Sequence, residues 1–96
     1  MPPSTEKKSR LQLRLYVTGN APNSLRAIAN ISAICDEHFA REYALEIVDL
    51  IDEPGRAAVD QVIVTPTLIR LAPKPIGRVI GSLSDTDQVL LALGVE

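Results

Sequence analysis

Ninety-six residues leave room for one small domain with a thin core, and with two Tyr, one Phe and no Trp that core must be aliphatic. A net charge of −2 gives no general attraction to phosphate backbones, and so few aromatics form no stacking platform for unpaired bases, so nucleic acid is not an expected partner. Gln12 and Arg14 interrupt the first apolar stretch, leaving no membrane span, and the single Cys35 cannot form an internal disulfide; a cytoplasmic address with no metal and no cofactor is the expectation.

Residues 1–9, rich in Pro, Ser and Lys without periodicity, read as a disordered N-terminal tail, and 10–96 as the domain. Leu11, Leu13, Leu15 and Val17 alternate with Gln12, Arg14, Tyr16 and Thr18, the period of a strand with one buried face. Gly19, Asn20 and Pro22 end it. From Asn23 the period changes: Leu25, Ile28, Ile31, Cys35 and Phe39 recur at threes and fours, predicting a helix with Asn23 or Ser24 as its cap. Ala44 to Ile51 predicts a second strand, partly covered on both faces. Strand, helix, strand in this order predicts a right-handed βαβ unit with a parallel pair.

The second half is punctuated by proline. Asp52-Glu53-Pro54 opens a short helix with Ala57, Ala58, Val59 and Val62 as its apolar content; Gly55 weakens it, so tertiary contacts must hold it. Val62 to Leu71 predicts a buried strand in which Pro66, lacking an N–H, belongs at a start, a bulge or an edge. Ala72 to Gly77 makes a turn, and Arg78-Val79-Ile80 returns antiparallel. Ser84 to Asp87 caps a last helix carrying Val89, Leu90 and Leu93, with Gly94 as its stop. The predicted order is βαβαββα in a single α/β domain, the thioredoxin-like arrangement.

That arrangement locates the chemistry, or its absence. Thioredoxins stabilise a thiolate at the N-terminus of the helix after the first strand, and here Asn20-Ala21-Pro22-Asn23 stands in that place. Cys35 falls in mid-helix on the apolar stripe, where a buried thiol is unreactive. His38 reads as a helix-end residue, and Asp49, Asp52, Glu53 and Asp60 as a solvated acidic rim matching no calcium loop. No catalytic residue and no phosphate-binding loop emerges. Pro66, in Thr65-Pro66-Thr67, is the candidate structural cis-proline. Arg26, Arg56, Arg70 and Arg78 are either scattered surface arginines or residues converging across the sheet edge as a partner-binding surface.

Taken together, LRLYVTGNAPNSLRA, YALEIVDLIDEP, VTPTLIRLAPKP and RVIGSLSDTDQVLLAL resemble the KaiB family from about Leu13 to Leu93. The resemblance implies a non-enzymatic regulator that binds the N-terminal ATPase ring of a KaiC-type hexamer in a circadian or related timing system. It also implies competition with a histidine kinase whose sensory domain is thioredoxin-like. Two folds are implied: a homotetrameric βαββααβ ground state and a monomeric thioredoxin-like state. Ala92 and Gly94 replace the Gly and Asp of clock proteins; Ala is worth about 1 kcal/mol more than Gly inside a helix, which favours the thioredoxin-like form. By resemblance Arg26, Arg70 and Arg78 match basic partner-binding positions, Gln61 replaces a lysine, and Pro54 to Val62, with Arg56, Ala58 and Val59, forms the docking edge. The alternative is a redox-inactive thioredoxin-like sensory or adaptor domain with another protein partner.

Overall fold

Residues 11–40 and 42–94 are described by the computed structural model, so the reading of 1–9 as a tail lies outside them. Strand β1 (Leu11–Val17) is followed by helix α1 (Pro22–His38), strand β2 (Tyr43–Asp49), a four-residue helix α2 (Arg56–Val59), strands β3 (Thr67–Ala72) and β4 (Gly77–Ile80), and helix α3 (Thr86–Leu93). The order is βαβαββα, not the βαββααβ alternative. One sheet runs β2-β1-β3-β4, with β1 parallel to β2 and antiparallel to β3, and β3 antiparallel to β4. In register, Leu15 lies between Ile47 and Leu68.

The period-2 pattern of β1 decides where the core sits. Leu11, Leu13, Leu15 and Val17 pack with Ala27, Ile31, Ile34 and Cys35 of α1 and Val89 and Leu93 of α3. At about 1.5–3 kcal/mol for each fully buried aliphatic side chain, this thick face supplies most of the stability. Among the described residues, the apolar cluster on the opposite face is small: Tyr16, Val48 and Ile69, with Leu50, Val62 and Leu71 partly buried around them. A cover over that thin face therefore depends on polar contacts as well as apolar area.

Helix α1 begins differently from its sequence reading. Neither Asn23 nor Ser24 caps it: Ala21 is the N-cap with no side-chain hydrogen bond, and Pro22, pre-set to helical φ, opens the first turn. Ser24 is instead buried and its Oγ accepts from the Thr18 N–H at 3.1 Å. With Ser24 turned inward, the buried side runs through Ala27, Ile31, Ile34 and Cys35, and Leu25 is rotated out to 50% exposure.

Two strands are also shorter or barer than expected. β2 is an edge strand whose Val48 alone is buried, on the face that α2 crosses, whereas Ile47, in register with Leu15 on the α1 side, stays exposed at the edge of the sheet. β3 starts at Thr67, so Val62 to Val64 lie in the connection before it, and Ile63 is 93% exposed. Gln61 at φ +55° turns the chain there, and the buried Pro66 precedes the strand, its peptide with Thr65 being cis.

Helix α3 follows its signals: the Asp85 carboxylate accepts from the Gln88 N–H at 3.2 Å, and Gly94, at φ 92°, closes the end by bonding the Leu90 and Leu91 carbonyls. Asp85→Ala is expected to cost about 1 kcal/mol, read as a lower urea midpoint with unchanged slope. No helix among the described residues is long and apolar enough to cross a membrane.

Candidate functional site

Because Leu13, Leu15 and Val17 face α1, alternation turns Arg14 and Tyr16 onto the thin face. After β2 the chain turns at Asp49, whose Oδ1 accepts from the N–H groups of Gly19 (3.0 Å) and Ile51 (2.9 Å), and it comes back across that face through Pro54, α2, Asp60 and Gln61. α2 has no side-chain cap and no buried residue of its own, so it must be fastened from outside.

Asp60 is the fastening. Its Oδ2 accepts from Arg14 Nη1 at 2.8 Å and from the Tyr16 hydroxyl at 2.6 Å; the same hydroxyl lies 3.1 Å from the Arg56 carbonyl, which shares its proton. From β4, Arg78 donates through Nη2 to the Asp60 carbonyl at 2.8 Å and through Nη1 to the Gln61 carbonyl at 3.4 Å. Arg14 Nε also donates to Glu46 at 2.8 Å, and Arg56 bridges Glu46 and Glu53 at 3.0 and 3.2 Å. These outer pairs are solvent-exposed and add little; the inner one is not.

The electrostatics follow the geometry. Burial pushes the Asp60 carboxyl up, but hydrogen bonds from Tyr16 and Arg14 outweigh it and leave the group below the ordinary carboxylate range. Glu46 is also held low, first by Arg14 and then by Arg56. Tyr16 is raised by burial and by Asp60 beside it. Arg14, hydrogen-bonded to Asp60 and Glu46, is raised further above its already high value. Asp60 is therefore no part of a solvated acidic rim; its long-range partners remove it from solvent. Sequence reasoning overlooked Arg14, whose signal was its place beside Tyr16 on the outward phase of β1.

Pro54, Arg56, Ala58, Val59 and Gln61 share one continuous surface with Arg78, which grips the segment. Pro54, Ala58, Val59 and Gln61 are exposed. The exposed Ile63 and Val64 continue this surface, and Ile80 lies on the Arg78 face of β4; the strand reading of 62–64 had hidden the first two. Arg70 and Arg26 lie elsewhere. Arg70 shares the phase of Leu68 and faces the α1 side of the sheet, while Arg26 sits on the exposed side of α1 with Nη1 2.7 Å from Asn23 Oδ1. The arginines do not converge on one surface.

At the other end of β1, Asn20 and Asn23 are exposed at the start of α1, and the hydroxyls of Thr18 and Thr65 meet at 2.6 Å. Cys35 is fully buried, and burial, with Asp36 adding to it, pushes its thiol up to about 11. At pH 8 about one thiol in a thousand is then ionised, so native Cys35 is expected to resist maleimide for hours and to label once denatured. Among the described residues no cluster of His, Cys, Asp and Glu could hold a metal ion.

The family model described as the KaiB domain matches residues 14–95. Circadian clock protein KaiB3 of Synechocystis sp. is 47% identical over 87 residues, which cover 91% of this chain and 85% of that protein. Circadian clock oscillator protein KaiB of Prochlorococcus marinus is 43% identical over 81 residues, covering 84% and 76%. Among solved structures, the N-terminal domain of SasA from Synechococcus elongatus superposes with a TM-score of 0.72 at 24% identity, covering 88% of this chain and 84% of that one. Mitochondrial thioredoxin 3 of Saccharomyces cerevisiae superposes with 0.72 at 11% identity, covering 94% and 82%. The shared fold is thioredoxin-like.

Proposed function

This chain belongs to the KaiB family, and we propose from that premise that it is a non-enzymatic regulator in a circadian or related timing system. It acts by docking on the N-terminal ATPase ring of a KaiC-type hexamer. The observation that carries the reading is the surface from Pro54 to Val64. It has little secondary structure of its own, is fastened from beneath by Arg14, Tyr16, Asp60 and Arg78, and turns Val59 (66% exposed) and Ile63 (93%) to solvent. Exposed aliphatic side chains on a pre-ordered segment bind at low ordering cost. Pro54, Arg56, Ala58, Val59, Gln61 and Arg78 form the docking edge with Ile63, Val64 and Ile80, and Arg26 and Arg70 lie outside it.

On the same reading the docking form is a monomer with the thioredoxin-like fold, favoured by Ala92 within α3 and Gly94 at its end. It competes with the thioredoxin-like sensory domain of a histidine kinase for the ring. Size-exclusion of the protein with the KaiC-type hexamer of its own organism, in ATP and then ADP, tests this. Nucleotide-dependent co-elution, lost in Val59→Asp and reduced by excess sensory domain, is expected. Absence of co-elution in both nucleotides overturns the reading. Val59→Asp is chosen because the side chain is exposed, so lost binding is not lost folding.

A further inference from the structure

The sheet ends in two unlike edges. β4 is four residues long and starts at Gly77, close behind Pro73 and Pro75, features that blunt an edge against further pairing. β2 has seven residues, as many as β1, with no Pro, Gly or Lys between Tyr43 and Asp49. Its backbone direction is fixed by two hydrogen bonds with β1, from the Leu50 N–H to the Val17 carbonyl at 2.9 Å and from the Leu11 N–H to the Glu42 carbonyl at 3.4 Å. Glu42, Leu50 and the even positions between them therefore turn their peptide groups to β1, while Tyr43, Leu45 and Ile47 turn theirs outward. Among the described residues no group bonds to the N–H or C=O of those three. Charge does not guard this edge either, because Glu46 is drawn onto Arg14 and Arg56 at 2.8 and 3.0 Å.

The strand is complementary to itself. An antiparallel pair about a two-fold axis at Leu45 sets Leu45 opposite its own copy and Tyr43 opposite Ile47 on either side, apolar against apolar on the α1 face, each pair exchanging two N–H···O bonds. On the other face the same register sets Glu46 opposite Ala44, so no like charges meet. Moving the axis to Glu46 would set that carboxylate opposite its copy, and moving it to Ile47 would set Leu45 opposite Asp49. We propose that the free chain forms a symmetric dimer through β2 in the Leu45-centred register, covering Ile47, which is 43% exposed in the single chain, with the partner's Tyr43. One strand-to-strand contact buries little surface, so the dimer is weak. The docking form described above is its dissociated half, and failure of either reading leaves the other standing.

The test is sedimentation equilibrium of the whole chain from about 10 µM to about 1 mM, with a monomer–dimer Kd of about 0.1–1 mM expected. Ala44 is exposed, so changing it leaves folding alone while altering what faces the partner's Glu46. Ala44→Glu should weaken the dimer roughly tenfold, because like charges then meet twice across the axis, and Ala44→Lys should tighten it several-fold. Amide exchange at Leu45 and Ile47 should slow as concentration rises, with Ala44, Glu46 and Val48, bonded to β1 in both states, unchanged. Three results would overturn the proposal: a monomer throughout the concentration range, a dimer equally strong in both Ala44 variants, or slowed exchange at β4 in place of β2.

Discussion

Replacing Leu15 with alanine is expected to remove about 3–4 kcal/mol of stability, the largest single-residue effect in the molecule. Leu15 has no solvent exposure, sits on the central strand between its partners Ile47 and Leu68, and belongs to the thick-face core. Neighbours on both sides hold that strand in place, so the cavity collapses little and the cavity cost adds to the lost transfer energy. For a domain of this size the total is only about 5–10 kcal/mol, so Leu15→Ala should shift the urea midpoint by a large fraction while leaving the slope unchanged. Leu25→Ala is the informative companion. The apolar stripe in the sequence makes Leu25 a core residue, but it is half exposed, so its loss should stay within about 0.5–1 kcal/mol. Equal effects at the two positions would contradict this rotation of α1.

Asp60→Ala is expected to cost about 2–3 kcal/mol and to act locally. It leaves the Tyr16 hydroxyl of a fully buried residue, and an Arg14 guanidinium with a side chain only 21% exposed, without their shared acceptor. Amide exchange at 56–62 should accelerate far more than at β1 or α1, since α2 has no buried residue to keep it closed. Uniform acceleration across the chain would mean that the segment is not separately fastened.

Acid provides an independent check on the same contact. The folded Asp60 carboxyl titrates below its unfolded value, so its contribution is complete above about pH 4 and is lost as acid protonates the folded group. Stability should therefore fall as pH drops below about 4, with a shallower fall in Asp60→Asn. Glu46 moves in the same direction, but its side chain is 48% exposed, and solvent screening leaves it a minor share.

The parts of the fold that were legible in the sequence share one property: their signal is local. β1 announces itself by strict alternation, α3 by Asp85 at its start and Gly94 at its end, and the β3–β4 return by the proline-rich turn between them. The KaiB likeness was legible too, since its strings lie in order along most of the chain. Val62-Ile63-Val64 misled because β-branched composition marks a strand only where a neighbour offers hydrogen bonds, and here the sheet begins at Thr67.

By itself the sequence determined the order of elements, the aliphatic core, and the lack of thiols at the turn before α1, since periods, caps and residue types are written within a few positions. Tertiary structure alone decided that Asp60 meets Arg14 and Tyr16, more than forty positions away, and so becomes the clasp of the exposed segment. It also decided that Arg78 grips that segment while Arg70 lies across the sheet from it. The reason is physical: alternation sets which residues of one strand share a face, but only the pairing register of different strands sets which face that is.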